Sequence, residues 1–247
     1  MKSTKKYGLI GKNIAYSFSR SYFQKKFEKE NQYNFTYENF DINQVDDFIT
    51  VLKDNLNLKG LNVTIPFKET IIPFLDIISK KALQIGAVNV IRFTNNGKLK
   101  GYNSDCYGFK KALKPLLKSN HKNALILGTG GASKAVAYAL NELGIKYKFV
   151  STKVFDAAIQ YGDINENTFL EFQIVINCTP LGTAPDIHLF PEIPYQYFTK
   201  SHIAFDLIYN PEQTLFLKKA AEQGAVCKNG LDMLVFQAEK SWKIWNK

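Results

Sequence analysis

Residues 123–150 read NALILGTGGASKAVAYALNELGIKYKFV, and this stretch decides the fold. Residues 123–127 form a short apolar run ending on Gly128-Thr129-Gly130-Gly131-Ala132-Ser133. Ala132, Ala135, Val136, Ala139, Leu140 and Leu143 then recur at helical spacing up to Gly144, and a second strand pattern follows at 146–150. Strand, glycine loop, helix and strand in that order form the context a dinucleotide-binding turn requires. Gly128 permits the tight turn, while Gly130 and Gly131 allow backbone to approach a pyrophosphate. The helix N-terminus offers N–H groups and a positive dipole end to the phosphates.

Strand patterns at 174–177 and 203–207 continue this block. Upstream, strand candidates at 7–11, 35–40, 60–65, 88–93 and 99–102 alternate with helical spacing in Phe23/Phe27 and in Val45, Phe48, Ile49 and Leu52. Asn95-Asn96-Gly97 marks a hairpin. This alternation predicts α/β layers around a largely parallel sheet. Leu231, Leu234, Ala238, Trp242 and Trp245 predict a closing helix with an apolar stripe.

The chain has 247 residues and is 45% hydrophobic, enough for a large core or two smaller ones. It has no apolar run of membrane-spanning length and no signal-peptide pattern at its start, so a soluble cytoplasmic protein is expected. Cys106, Cys178 and Cys227 lack metal-ligand spacing and read as small buried or half-buried residues. His121, His188 and His202 lie in polar or turn-like stretches without a triad or metal pattern, so no metal is expected. The net charge of +10 is almost all lysine, with Arg20 and Arg92 the only arginines. That distribution argues against nucleic-acid readout and for attraction of anionic small molecules.

An acid at the end of the second Rossmann strand would hold ribose hydroxyls. Here the position reads Ser151-Thr152-Lys153, whose hydroxyls and ammonium suit a 2′-phosphate, so NADP(H) is the expected cofactor.

GLNVTIPFK at 60–68 ends an apolar strand on polar groups: Val63 and Ile65 read as buried, Pro66 as the strand's stop, and Lys68 as a lysine beyond its tip. GKNIAYSFSR (11–20), GAVNV (86–90) and GYNSDCYGF (101–109) likewise place small polar residues at strand ends, where open α/β sheets bind ligands. Ser17, Ser19, Asn62, Thr64, Asn89 and Asp105 suit a ligand with several hydroxyls and a carboxylate.

Together with NCTPLGT (177–183), DLIYNP (206–211) and NGLDMLVFQA (229–238), these motifs resemble, in order and over nearly the whole chain, the shikimate dehydrogenase family. The resemblance implies an N-terminal α/β substrate domain over 1–105, a Rossmann-like NADP-binding domain over 106–230, a C-terminal helix at 231–247 packing back onto the first, and a cleft between them. It implies Lys68 and Asp105 as the catalytic pair, Ser17 and Ser19 on the substrate carboxylate, and Asn62, Thr64, Asn89, Asp105 and Gln237 on the ring hydroxyls. Gly128, Gly130, Gly131 and Ala132 would carry the pyrophosphate, and Ser151, Thr152 and Lys153 would surround the ribose. Thr179, Leu207 and Gly230 would line the cofactor, with Tyr209 where the two ligands meet. The chain departs from the family pattern at Tyr16, Arg20, Cys106, Thr183 and Ser151-Thr152-Lys153. The implied activity is reversible NADPH-dependent reduction of 3-dehydroshikimate to shikimate in aromatic amino-acid biosynthesis, by a monomer or homodimer. A quinate/shikimate dehydrogenase using NAD, or a non-catalytic ligand-binding regulator on the same fold, are the alternatives.

Overall fold

The glycine turn folds as its composition demands. In the computed structural model, which describes residues 4–15, 17–153 and 158–247, Gly128 sits at φ +99°, a conformation open chiefly to glycine. Strand β7 (Asn123–Leu127) precedes it, and helix α5 (Gly131–Glu142) follows, with Gly130 as an N-cap that supplies no side-chain hydrogen bond. Ala135, Val136, Ala139 and Leu140 are buried, and Gly144 at φ +71° follows the helix end. Tyr16 lies outside the described residues.

The chain divides into two units: Met1–Ser104 with Ala238–Lys247, and Asp105–Gln237. The second unit holds α4 (Asp105–Leu113), β7, α5, β8 (Lys146–Ser151), β9 (Ala158–Gln160), α6 (Glu166–Glu171), β10 (Ile174–Asn177), β11 (Ile203–Asp206), α7 (Leu215–Glu222) and β12 (Val226–Lys228). Its sheet runs β12-β11-β10-β7-β8-β9 with every pairing parallel. Counted from β7, that is the doubly wound order 3-2-1-4-5-6, whose switch point lies between β7 and β10. Leu125, Leu127, Val150, Phe169, Val175 and Phe216 belong to its core.

The first unit contains β1 (Lys5–Gly11), α1 (Phe18–Lys29), β2 (Phe35–Asp41), α2 (Phe48–Asp54), β3 (Leu58–Val63), β4 (Ile77–Ile78), α3 (Lys80–Ile85), β5 (Val90–Phe93) and β6 (Leu99–Tyr102). The order is β2-β1-β3-β5-β6-β4. Helix α8 (Leu231–Trp245) starts in the second unit and ends in the first. This sheet is mixed, because β5 pairs antiparallel with both β3 and β6. The Asn95-Asn96-Gly97 turn produces the β5–β6 hairpin: Gly97 N donates to Thr94 O at 3.0 Å with φ +77°. Tyr7, Phe23, Phe27, Tyr37 and Trp245 cluster with Leu9 and Val90, and the Trp245 indole N–H donates to Ile91 O at 3.0 Å.

Several sequence expectations are corrected. Strand β3 stops at Val63, so Ile65, expected inside, is 67% exposed. The reason lies in the turn: Thr64 N still bonds Ile10 O, but Phe67 N closes back onto Thr64 O, so Ile65 and Pro66 form the middle of a turn that leaves the sheet. Strand β5 begins at Val90, because Val88 N bonds Lys68 O at 2.7 Å rather than a sheet partner. Leu231, expected on the apolar stripe, is exposed at the first turn of α8. His121 and His202 are buried, contrary to the polar setting expected. Each accepts a backbone N–H at Nδ1, from Lys118 or Thr199, and faces a backbone carbonyl at Nε2, tying loops together.

Candidate active site

In the second unit, a cavity of about 700 Å³ opens beside the switch point. Gly128, Thr129, Ser151, Thr152, Lys153 and Thr179 line it, so residues from three separate motifs face one space. A Cβ on Gly128 would stand 3.2 Å from the Thr179 methyl, so the β7 and β10 turns need glycine there to approach this closely. Ser151 is buried and its Oγ accepts Lys153 N at 3.0 Å, while Thr152 and Lys153 are exposed at the pocket wall. Gly130, Gly131 and Ala132 form the start of α5, where backbone N–H groups point away from the helix with no side-chain cap. Ser133, the next residue, is buried and donates back to Gly130 O at 2.6 Å. Glycine, an uncapped helix end and a lysine beside two hydroxyls fit a dinucleotide phosphate ligand.

Leu207 and Gly230 meet each other rather than the lining of that cavity. Gly230 N donates to Ile208 O at 2.9 Å, and Gly230 lies directly against the Leu207 carbonyl. Tyr161, Gly162, Leu189, Phe190 and Glu192 also line the pocket and went unmarked in the sequence. Tyr161 and Gly162 sit on a 3-10 turn and the others on irregular segments, none with a motif, so only the fold brings them there.

Beneath this pocket lies Asp206, fully buried. Its Oδ2 accepts Thr214 Oγ1–H at 2.6 Å, and its Oδ1 accepts Ile208 N at 3.0 Å and Asn177 Nδ2 at 3.1 Å. Asn177 Oδ1 in turn accepts both Thr179 N and Thr179 Oγ1–H, at 3.0 and 2.6 Å. One carboxylate therefore fixes the loops after β10 and β11. Burial pushes its pKa up to about 6, against the opposing pull of the three donors. Burial, then the Asp206 charge, also raises the Cys178 thiol well above its usual range, which removes it as a nucleophile. Among the described residues no His/Cys/Asp/Glu group could hold a metal.

Asp105, at the start of α4, and Gln237, on α8, are both buried in the second unit. The two helices cross at Gly108, where an added Cβ would stand 3.0 Å from the Gln237 Cβ and 2.5 Å from Met233 O. Tyr209 is half-buried in the segment after β11.

In the first unit, Lys68 occupies the turn that follows β3 and is half-buried. Its carbonyl is held by Val88 N, which joins the NVTIPFK and GAVN segments. Asn62 and Asn89 are both buried, and Asn62 Nδ2 donates to Asn89 O at 3.2 Å. Thr64 is half-buried just past the strand end. Ser17 is the N-cap of α1, its Oγ accepting Ser19 N at 3.2 Å, and the first turn of that helix carries no acid. Ser19 is buried. Sequence reading missed two buried side chains here, Tyr37 and Ser241, which both bond Asn62. Alternation in β2 and the polar break in the α8 stripe were the available signals.

Residues 9–91 match the model of the shikimate dehydrogenase substrate-binding domain. The chain is 40% identical to the shikimate dehydrogenase (NADP(+)) of Methanococcus maripaludis, over 98% of this chain and 91% of that relative. It belongs to the shikimate dehydrogenase family. Among solved structures, family members align along the same length. The shikimate dehydrogenase of Aquifex aeolicus superimposes with TM-score 0.83 at 36% identity, covering 98% of this chain and 92% of that one. The shikimate 5-dehydrogenase of Thermus thermophilus, solved with NADP(H) and shikimate, gives TM-score 0.84 at 29% identity over 98% and 93%. The α/β substrate domain and the Rossmann-like domain expected from the motifs are the family's, and both sheets of this chain conform to them.

Proposed function

We propose that this family member is an NADP-dependent shikimate dehydrogenase, acting in the cytoplasm on small-molecule ligands and interconverting 3-dehydroshikimate and shikimate. The strongest support from geometry is the single pocket that gathers Gly128, Ser151, Thr152, Lys153 and Thr179 at the switch point of a doubly wound sheet. Bound NADPH would supply the hydride that a ketone needs to become an alcohol. The α5 N-terminus would hold its pyrophosphate, and Thr152 with Lys153 its 2′-phosphate.

The chain's own part is orientation and charge. As the carbonyl carbon gains a hydride, its oxygen becomes an alkoxide. The Lys68 ammonium donates a hydrogen bond to that oxygen and then a proton, giving the alcohol. Asp105 accepts from the substrate hydroxyl that neighbours the reacting carbon. Thr64, Asn62, Asn89 and Gln237 hold the remaining hydroxyls, with Tyr209 at the edge of the ring. Ser17 uses its oxygen as the α1 cap, which leaves its hydroxyl hydrogen for the substrate carboxylate. The positive end of α1 favours that anion.

Steady-state kinetics with shikimate and quinate, each with NADP+ and NAD+, test this reading. The expected order has shikimate with NADP+ giving the largest kcat/KM. A larger value for quinate with NAD+ would overturn it. Lys153→Glu replaces a cation that would face the 2′-phosphate with an anion. It should raise the KM for NADP+ about tenfold or more and leave that for NAD+ nearly unchanged. Equal changes in both would show that Lys153 does not meet the 2′-phosphate.

A further inference from the structure

Tyr37 is a buried phenol with a job that packing alone does not require. Its hydroxyl donates to Asn62 Oδ1 at 2.9 Å. The ring is held independently, stacked on Phe23 at 4.7 Å between centroids with 13° between planes. Burial raises the pKa of this phenol, so it acts as a neutral hydrogen-bonding group.

The polarity of the surrounding bonds follows from two backbone groups. The Asn89 carbonyl can only accept, so the Asn62 amide nitrogen must face it, at 3.2 Å. The second hydrogen of that nitrogen goes to Ser241 Oγ at 2.9 Å. Ser104 N can only donate, and it bonds Asn89 Oδ1 at 2.7 Å, so Asn89 Nδ2 donates to Ser104 Oγ at 3.0 Å. Ser104 and Ser241 meet at 3.2 Å. Both hydrogens of Asn62 are thus committed, and Tyr37 takes one carbonyl lone pair. What Asn62 can still offer a ligand is one acceptor lone pair, suited to a hydroxyl.

We propose that Tyr37 is a positioning residue for the substrate, acting through Asn62 at the end of β3. This rests on the dehydrogenase reading, in which Asn62 meets a ring hydroxyl of the substrate. Tyr37 keeps Asn62 turned with its carbonyl toward the phenol and one lone pair left for that hydroxyl. Ser241 braces the same amide from α8.

The test is Tyr37→Phe, which removes the hydroxyl and keeps the ring on Phe23, with Tyr7→Phe as the control in the same aromatic cluster. Tyr37→Phe is expected to raise the KM for shikimate about tenfold, with kcat and the KM for NADP+ within about twofold of wild type. Tyr7→Phe should leave all three unchanged. In an Asn62→Ala background the Tyr37→Phe effect on KM should vanish, because it acts through that amide. A fall in melting temperature with an unchanged KM for shikimate in Tyr37→Phe would reduce Tyr37 to packing and overturn this assignment alone. A wild-type protein that does not turn over shikimate would overturn the dehydrogenase reading and this assignment together.

Discussion

Replacing Lys68 with alanine is expected to lower kcat for shikimate oxidation by about 10³-fold, with the KM for NADP+ unchanged. The size follows from two losses at one atom. In the proposed reaction the ammonium stabilises charge on the reacting oxygen, an effect that removal of a single preorganised donor places at about 10²–10³-fold. In that reaction it would also carry the proton, a contribution of about 10²–10⁴-fold in general acid–base catalysis, and the two overlap. The backbone should tolerate the change, because Lys68 is held through its carbonyl to Val88 N, a bond that alanine keeps. Circular dichroism and melting temperature near wild type, with turnover nearly abolished, is the expected pattern. Lys68→Ala retaining more than about a tenth of wild-type kcat would remove Lys68 from the chemistry.

The second large effect concerns Asp206. Asp206→Ala strands three donors, from Asn177, Ile208 and Thr214, in a site with no exposure. Each unsatisfied buried group costs about 1–3 kcal/mol, offset in part by removal of a buried charge. A net loss of about 3 kcal/mol is expected, seen as a melting temperature lower by about 10 °C. Because Asn177 also holds Thr179, the KM for NADP+ should rise as well. The pH dependence separates charge from packing. The folded carboxyl, at about 6, binds its proton more tightly than the unfolded one, at 3.8. Folded protein therefore binds more protons between those values, and stability falls as pH rises through that window. The fall from this group is about 3 kcal/mol, complete above about pH 6. Asp206→Asn should remove that slope. Wild-type and Asp206→Asn stability curves running parallel from pH 4 to 6.5 (about the window concerned) would refute the buried-carboxylate account.

What could be read in advance divides by the range of the interaction. The β7–α5 unit was legible because its instructions are local: an apolar run, a glycine at positive φ, and a helical stripe. The same holds for the β5–β6 hairpin at Asn95-Asn96-Gly97. Ile65 was misread because the turn back from Thr64 to Phe67 is a backbone event, and alternation alone carried the strand too far. His121 and His202 looked polar because their neighbours are polar, yet each is buried against a distant backbone carbonyl, that of Ser201 or of Phe169 on α6. The motifs named Asn62 and Asn89 but not what orients them. Ser241 reaches Asn62 across 179 positions of sequence, a contact that no local pattern encodes.

The most direct test of the account is the absorbance of NADPH on mixing purified protein with 3-dehydroshikimate. Rapid, saturable loss of NADPH is expected, with stoichiometric formation of shikimate and a near-flat trace for Lys68→Ala under the same conditions. Wild-type consumption of NADPH no faster than that of Lys68→Ala would contradict it.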